Sequence, residues 1–318
     1  MDLPTAPELS VVITAFNVAA YIGHALQSAL NQTLRHIEVI VVDDGSTDGT
    51  LAVIRSIHDP RIRLVARSHA GEIAAVNAGI ALAQGEFIAF LDGDDVWHPD
   101  KLAQHVRFLK DHPEVDLTFS WSRMIDENGT ETGLASRPWR GSLSFSQLLT
   151  DNVISNGSSV VLRREPLLRI APYDCPLEAC HDLDAWLQVA LLRPGNIACV
   201  PAWLTYYRRR AGQITSDIGR MERGWQQVLE TMMRLAPRET ARVAAAARSN
   251  MARFYAYLAY ENGNYFKAWA YLYRGFREAP LRFLLDLRNW KMTAAALSAT
   301  VLPAQWHKRL LRVALLGR

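Results

Sequence analysis

The stretch Phe87-Ile88-Ala89-Phe90-Leu91-Asp92-Gly93-Asp94-Asp95 sets five consecutive apolar residues directly against three carboxylates grouped around one glycine. An uninterrupted apolar run of this length reads as a strand covered on both faces, as strands of parallel sheets are. The pattern recurs upstream. Ile37 to Val42 is almost continuously apolar and ends in Asp43-Asp44-Gly45-Ser46-Thr47-Asp48, while Leu9-Ser10-Val11-Val12-Ile13 runs into Thr14-Ala15-Phe16-Asn17. Between these runs Tyr21, Ile22, Ala25, Leu26, Ala29 and Leu30 recur at helical spacing, and Asp48 is placed to cap a helix from Gly49 to Ile57. Ile62 to Val65 adds a strand and Glu72 to about Ala83 a helix. Repeated β-α-β units predict an α/β fold, a Rossmann-like, mostly parallel sheet with helices on both faces. Ligands then bind beyond the carboxyl ends of the strands, which is where the polar turns collect.

Further along, His98-Pro99 opens a helix to about Asp111, Val115 to Trp121 returns as a strand, and residues 122–157 are less regular. Strands are expected at Ser158–Leu162 and Trp203–Tyr207, with a helix at Asp182–Leu192 between them. From Ile218 the period is helical, broken at Pro237, Pro280 and Pro303. Two domains follow: an α/β domain over residues 1–215 and a helical C-terminal region over 216–318. Ala259 to Pro280 resembles one tetratricopeptide helix pair, which cannot stack alone as a solenoid and reads as a helical hairpin.

Net charge is +3, but residues 1–216 hold 18 Lys/Arg against 25 Asp/Glu and residues 217–318 hold 17 against 7. An acidic sheet domain argues against a nucleic-acid enzyme. The basic remainder suits an anionic partner or lipid surface. Three cysteines (Cys175, Cys180, Cys199), with no metal or redox spacing, read as thiols of a reducing compartment. Residues 1–9 lack signal-peptide character, and Met292–Leu302 falls far short of the ~20 apolar residues a membrane span needs. The expected location is cytoplasmic, with peripheral contact at the inner membrane face through basic, apolar helices in residues 279–318.

The chemistry lies at the strand ends. Asp92, Asp94 and Asp95 crowd one turn, which is costly without a cation, and Mn²⁺ or Mg²⁺ is commonly shared between one or two carboxylates and substrate phosphates. Asp43-Asp44 can face the same crevice, leaving room for a nucleoside diphosphate between the two acidic corners. The turn Thr14-Ala15-Phe16-Asn17-Val18-Ala19 is not a Gly-x-Gly-x-x-Gly loop, and no Walker A loop is present.

Three segments, Ser10 to Asn17, Val41 to Thr50 and Phe90 to Trp97, in that order and spacing, resemble the signatures of family 2 glycosyltransferases, and the likeness extends over about residues 9–212. The resemblance implies a GT-A fold, a nucleotide-diphosphate sugar donor, most readily a UDP-sugar, and inversion at the anomeric carbon. It implies that Thr14 and Phe16 hold the base, that Asp44 binds base or ribose, that Asp92 faces ribose and diphosphate, and that Asp94, with Asp95, holds the metal. Cys180-His181-Asp182-Leu183-Asp184-Ala185-Trp186-Leu187 resembles the family's Glu-Asp-x-Asp-x-Trp segment, which assigns the general base to Asp182 and leaves His181 where Glu is usual. His181, Trp186 and Asn156 become candidates for the acceptor site. Asn77-Ala78-Gly79 resembles the family's Asn-x-Gly helix, with plain helix packing as the competing reading. Arg208 and Arg210 fall in the segment that closes over the donor diphosphate, and a guanidinium there can bind phosphate oxygens bidentately. The Gln-x-x-Arg-Trp signature of processive members is absent, so transfer of a single sugar to a glycan or lipid-linked acceptor, in bacterial-type surface polysaccharide or glycoconjugate synthesis, is expected. Two other readings remain: a nucleotidyltransferase, disfavoured by the missing Gly-rich basic loop, and an inactive nucleotide-sugar-binding module.

Overall fold

The computed structural model describes residues 6–170, 177, 179–210, 212, 213 and 216–302. Two compact units divide the chain, one within Met1–Leu148 and Asn152–Ala211, the other within Leu149–Asp151 and Gly212–Arg318.

The first unit begins with β1 (Leu9–Ala15), α1 (Ile22–Leu30), β2 (Ile37–Asp43), α2 (Thr50–Ser56), β3 (Ile62–Ala66), α3 (Glu72–Leu82) and β4 (Phe87–Asp92). Pairing of β1 with β2 and β4, and of β2 with β3, is parallel throughout. Every residue of β1 except Thr14 is buried, as a centre strand covered on both faces requires. One turn of α1 after another presents Ile22, Ala25, Leu26, Ala29 and Leu30 to the core. Helix α3 lies flush on β1 because Gly79 has no side chain: a Cβ there would stand 2.3 Å from Val12 Cγ1.

The chain continues through β5 (Val96–Trp97), α4 (Lys101–Asp111), β6 (Leu117–Ile125), β7 (Glu131–Ala135), α5 (Phe145–Thr150), a 3-10 turn at Gly157–Ser159, β8 (Val160–Arg163), α6 (Arg164–Arg169), α7 (His181–Leu192) and β9 (Ile197–Arg208). Strand order is β3-β2-β1-β4-β8-β6-β9-β5, with β7 on β6. The sheet is parallel through β4 and mixed beyond it, since β8 runs antiparallel to both β4 and β6. That reversal starts β8 at the carboxyl edge of β4, which carries the Asn152–Ser159 segment to the acidic turn. The last strand is twelve residues long rather than the five expected. Pairing steps from Ser120–Val200 to Trp121–Trp203, so Pro201 sits in a bulge where its missing N–H costs nothing.

The second unit is helical: α8 (Ile218–Leu235), α9 (Pro237–Glu261), α10 (Tyr265–Glu278), α11 (Pro280–Leu285) and α12 (Leu287–Val301). Pro237 and Pro280 start helices, as their ready-made φ allows. Side chains of Asp217, Asn264 and Asp286 cap α8, α10 and α12 by accepting from Arg220, Lys267 and Arg288 backbone N–H. Helices α9 and α10 form the expected hairpin, with Tyr255 against Tyr271 at 5.5 Å between ring centres. Among the described residues no helix is long and apolar enough to cross a membrane. Pro303 and the basic segment that follows it lie outside the described residues, as does Cys175; Cys180 and Cys199 are free thiols.

Candidate active site

Three strand ends meet at one edge of the first unit. Thr14 lies in register with Asp92 and Ala15 with Asp43. Beyond the ladder, Asp44 N donates to Ala15 O at 2.9 Å and Gly93 N to Thr14 O at 3.0 Å, which carries the pairing into both acidic turns.

On the β2 side, Phe16 is 42% exposed and stacks on His69, ring centres 4.2 Å apart and planes 21° from parallel. The pair offers a flat apolar platform for a planar ring. The segment bearing His69 is locked under this platform by Asp44, whose buried carboxylate accepts from Ala70 N at 3.1 Å and Gly71 N at 2.8 Å. The same carboxylate meets Arg67 Nε at 3.3 Å and His69 Nδ1 at 2.8 Å. Gly45 permits this approach, with φ of +77° and a hypothetical Cβ only 2.6 Å from His69 N. Sequence reasoning singled out Phe16 and Asp44 but missed Arg67 and His69. They follow the strand expected at Ile62–Val65 but belong to no motif, and only tertiary proximity gives them meaning.

On the β4 side, negative charge concentrates. Burial raises Asp92 well above the usual carboxylate range, reinforced by Asp95, Glu72, Asp94 and Asp182 in that order, so carboxylates from α3, the β4 turn and α7 share one neighbourhood. Asp95 is fully buried and likewise raised, by burial first and Asp94 next; its Oδ1 accepts from Arg208 N at 2.8 Å. Its Oδ2 is buried without a hydrogen-bond partner. Asp94 Oδ2 takes Arg210 Nε at 2.6 Å. The Ser158 hydroxyl accepts from Asp92 N at 3.0 Å, and Trp97 Nε1 donates to Ser158 O at 2.8 Å, which fixes the incoming β8 segment on the acidic turn.

The two arginines differ. Arg208 is buried, with Nε on Asp94 O at 2.7 Å and Nη1 on the carbonyls of Asp126 and Glu127 at 2.8 and 3.0 Å, so its guanidinium braces the turn from behind. Arg210 forms an ion pair with the Asp94 carboxylate. Both guanidinium groups lie over the Tyr21 ring, 4.9 and 5.6 Å from its centre.

Helix α7 places His181 and Asp182 in its first turn, entered through Cys180 in the left-handed region at φ 63°. The Cys180 thiol is pushed up to about 12 by burial and by Asp182. His181 Nε2 stands 3.8 Å from Glu72 Oε1, so the first turns of α3 and α7 face each other. Glu72 was overlooked in the sequence, where it reads as an ordinary first-turn acid. Trp186, a candidate for the acceptor site, is 1% exposed and packs against Phe90 at 5.9 Å. It falls one turn after Asp182, on the face that α7 turns to the core. Asn156, the other candidate, is buried too; its Nδ2 donates to Ser122 Oγ at 3.0 Å while Oδ1 has no partner.

Among the described residues no three His, Cys, Asp or Glu side chains are arranged to enclose a metal ion by themselves. A divalent ion held mainly by substrate phosphates needs only one or two carboxylates. The Asp92–Asp95 turn fits that requirement, with an oxygen of Asp95 left unpartnered and an excess of negative charge around Asp92.

The model of the family described as Glycosyl transferase family 2 matches residues 10–169, just over half of the chain. Among curated relatives, UDP-Glc:alpha-D-GlcNAc-diphosphoundecaprenol beta-1,3-glucosyltransferase WfaP of Escherichia coli is 31% identical over 213 residues, covering 66% of this chain and 80% of the relative. An uncharacterized glycosyltransferase of Nostoc sp. is 32% identical over 63% of this chain and 64% of its own length. An uncharacterized protein of Mycobacterium tuberculosis is 33% identical over 64% of this chain and 59% of its own length. The chain thus spans less than two thirds of the latter two relatives. In structure, a TarS fragment from S. aureus in complex with UDP-GlcNAc superposes with a TM-score of 0.63 at 18% identity, over 98% of this chain and 92% of that one. Mannosyltransferase PcManGT from Pyrobaculum calidifontis, in complex with GDP-Man and Mn²⁺, gives 0.57 at 18% identity, over 98% and 86%. Likeness at that identity shows the fold, the GT-A type expected from the motifs.

Proposed function

The chain belongs to glycosyl transferase family 2, and from that premise we propose that it transfers one sugar from a nucleotide-diphosphate donor to an acceptor hydroxyl with inversion. The observation that carries the reading is the acidic turn Asp92–Asp95 at the end of β4, one strand over from the Phe16–His69 platform. An aromatic platform for a base beside a carboxylate cluster suits a nucleoside diphosphate and its cation. Phe16, His69 and Thr14 would receive the base, with Asp44 either touching it or holding Arg67–Gly71 in place. Asp92 would face the ribose. Asp182 would take the acceptor proton as the hydroxyl oxygen attacks the anomeric carbon and the bond to the diphosphate breaks. Asp94, with Asp95, would hold Mn²⁺ or Mg²⁺, which when bound neutralises charge on the departing diphosphate. His181, which stands beside Glu72 and next to Asp182 in the chain, would contact the acceptor.

A UDP-sugar donor is favoured by likeness to proteins named for UDP-Glc or solved with UDP-GlcNAc. A lipid-linked acceptor in surface glycoconjugate synthesis is favoured by the diphosphoundecaprenol in the name of the E. coli relative. The test is donor turnover with Mn²⁺ and candidate acceptors in Asp94→Ala and Asp182→Asn variants. Asp94→Ala should abolish turnover with the circular dichroism spectrum unchanged. Asp182→Asn should keep donor affinity and lose a factor on the order of 10² or more in turnover. Full metal-dependent turnover in the first, or weak donor binding with normal turnover in the second, overturns the assignment of that residue. Binding of donor with no turnover in the unaltered chain would identify an inactive binding module.

The Arg210–Asp94 pair at 2.6 Å favours a second reading, in which the guanidinium supplies the charge neutralisation. Turnover that survives chelation and is lost in Arg210→Ala would select it.

A further inference from the structure

Helix α12 has two apolar faces, and among the described residues only one is covered. Asn289, Met292 and Ala296 are buried. Opposite them Leu287, Trp290, Leu297 and Val301 stand exposed, at steps of three, seven and four residues, a stripe along one side of the helix. At 1.5 Å per residue the stripe runs about 20 Å. Helix α11 extends it, with Leu281 78% and Leu285 82% exposed while Phe283 turns inward. The two helices present one surface because Trp290 Nε1 donates to Leu284 O at 2.8 Å, which holds the indole across their junction. A water-facing helix ordinarily carries polar residues at such positions; a continuous apolar stripe is the mark of a binding face.

Charge identifies the occupant. Asp286 is the sole acid between residues 279 and 318. It is neutralised in place, capping Arg288 N at 3.0 Å and pairing with Arg288 Nη2 at 2.7 Å and Arg253 Nη1 at 3.1 Å. Arg282 and Lys291 are exposed beside the leucines and Trp290. The sequence past residue 302 adds Lys308, Arg309, Arg312 and Arg318. Apolar residues flanked by cations, without an exposed acid, complement a surface that is hydrocarbon at depth and anionic at its rim. A second copy of the same face would set cations against cations.

We propose that the α11–α12 surface docks on anionic lipid, with Leu281, Leu285, Leu287 and Trp290 entering the boundary between headgroups and acyl chains and Arg282 and Lys291 meeting lipid phosphates. The inference is independent of the transferase reading, and its test needs no turnover. Full-length protein is mixed with vesicles of phosphatidylcholine, alone or with phosphatidylglycerol, and the sedimenting fraction is measured at low and high salt. Sedimentation is expected with the anionic vesicles only and should weaken as salt rises. Leu285→Glu/Trp290→Glu, and separately Arg282→Glu/Lys291→Glu, should each reduce partitioning by about tenfold or more with an unchanged thermal transition. All four side chains are exposed, so either pair serves if the other perturbs folding. A full-length chain left in the supernatant with anionic vesicles at low salt overturns the proposal. Equal binding of both variants and the unaltered chain also overturns it, as does a Leu285→Glu-sensitive dimer that binds no vesicles.

Discussion

At the scale of single residues, the platform formed by Phe16 and His69 makes a prediction separable from the chemistry. Stacking contacts of this kind contribute about 0.5–1.5 kcal/mol each. Phe16→Ala should therefore weaken nucleotide-diphosphate binding by a few-fold to about tenfold, measured calorimetrically, and His69→Ala by less. The double variant should fall short of the product of the two, because each ring acts through the other. Asp44, Asp92, Asp94 and Asp182 were legible in the sequence because each follows an apolar strand or opens a patterned helix, so topology alone delivers them to one edge. His69, Arg67 and Glu72 were not, since their roles come from contacts between segments distant along the chain: Asp44 with Ala70 and Gly71, and His181 with Glu72. Trp186 was drawn toward the acceptor by its place in a motif and Asn156 by its place in the Asn152–Ser159 stretch; both are buried. Arg208, matched by position to a phosphate ligand, donates to the carbonyls of Asp94 and Asp126.

At the scale of elements, the contact of α3 with β1 sets two effects against each other. Replacing Gly79 by Ala in a helix interior gains about 1 kcal/mol of intrinsic propensity. It also drives a methyl to 2.3 Å from Val12, a buried β-branched side chain with little freedom to turn aside. Overpacking of this kind costs about 1–3 kcal/mol, so the clash should win. Gly79→Ala should lower the chemical-denaturation midpoint, and Val12→Ala in the same chain should cost less than it does alone. In the helical unit, burial would raise Asp286, but its hydrogen bonds to Arg288 and the nearby Arg253 outweigh this and bring it from 3.8 down to about 2. A carboxylate depressed by folding stabilises above its ordinary range and loses that contribution as pH falls toward its folded value. Asp286→Asn preserves the cap, so it isolates the charge. It should cost about 1 kcal/mol at pH 7 after allowance for solvent screening, and urea midpoints of variant and parent should converge as pH drops from about 5 to about 2. Helix starts were readable from Pro237 and Pro280. The extent of β9 was not, because Pro201 looks like a terminus unless the partner strand shows the bulge.

Across the whole molecule, the split between an acidic first part and a basic remainder, visible in composition, follows the division into a sheet unit and a helical unit. The sheet itself was less legible. Continuous apolar runs identified its parallel part, whereas the insertion of β8 between β4 and β6 depends on a chain reversal across residues 126–159 that no periodicity announces. That reversal has an evolutionary consequence. The segment between β6 and β8 pairs with β6 and touches β9 but takes no part in the β1, β2 and β4 ladders. Its length and side chains can drift, or be exchanged by grafting, while β1, β2 and β4 keep their register. A lineage could therefore diversify what it modifies without re-solving how the activated sugar is held.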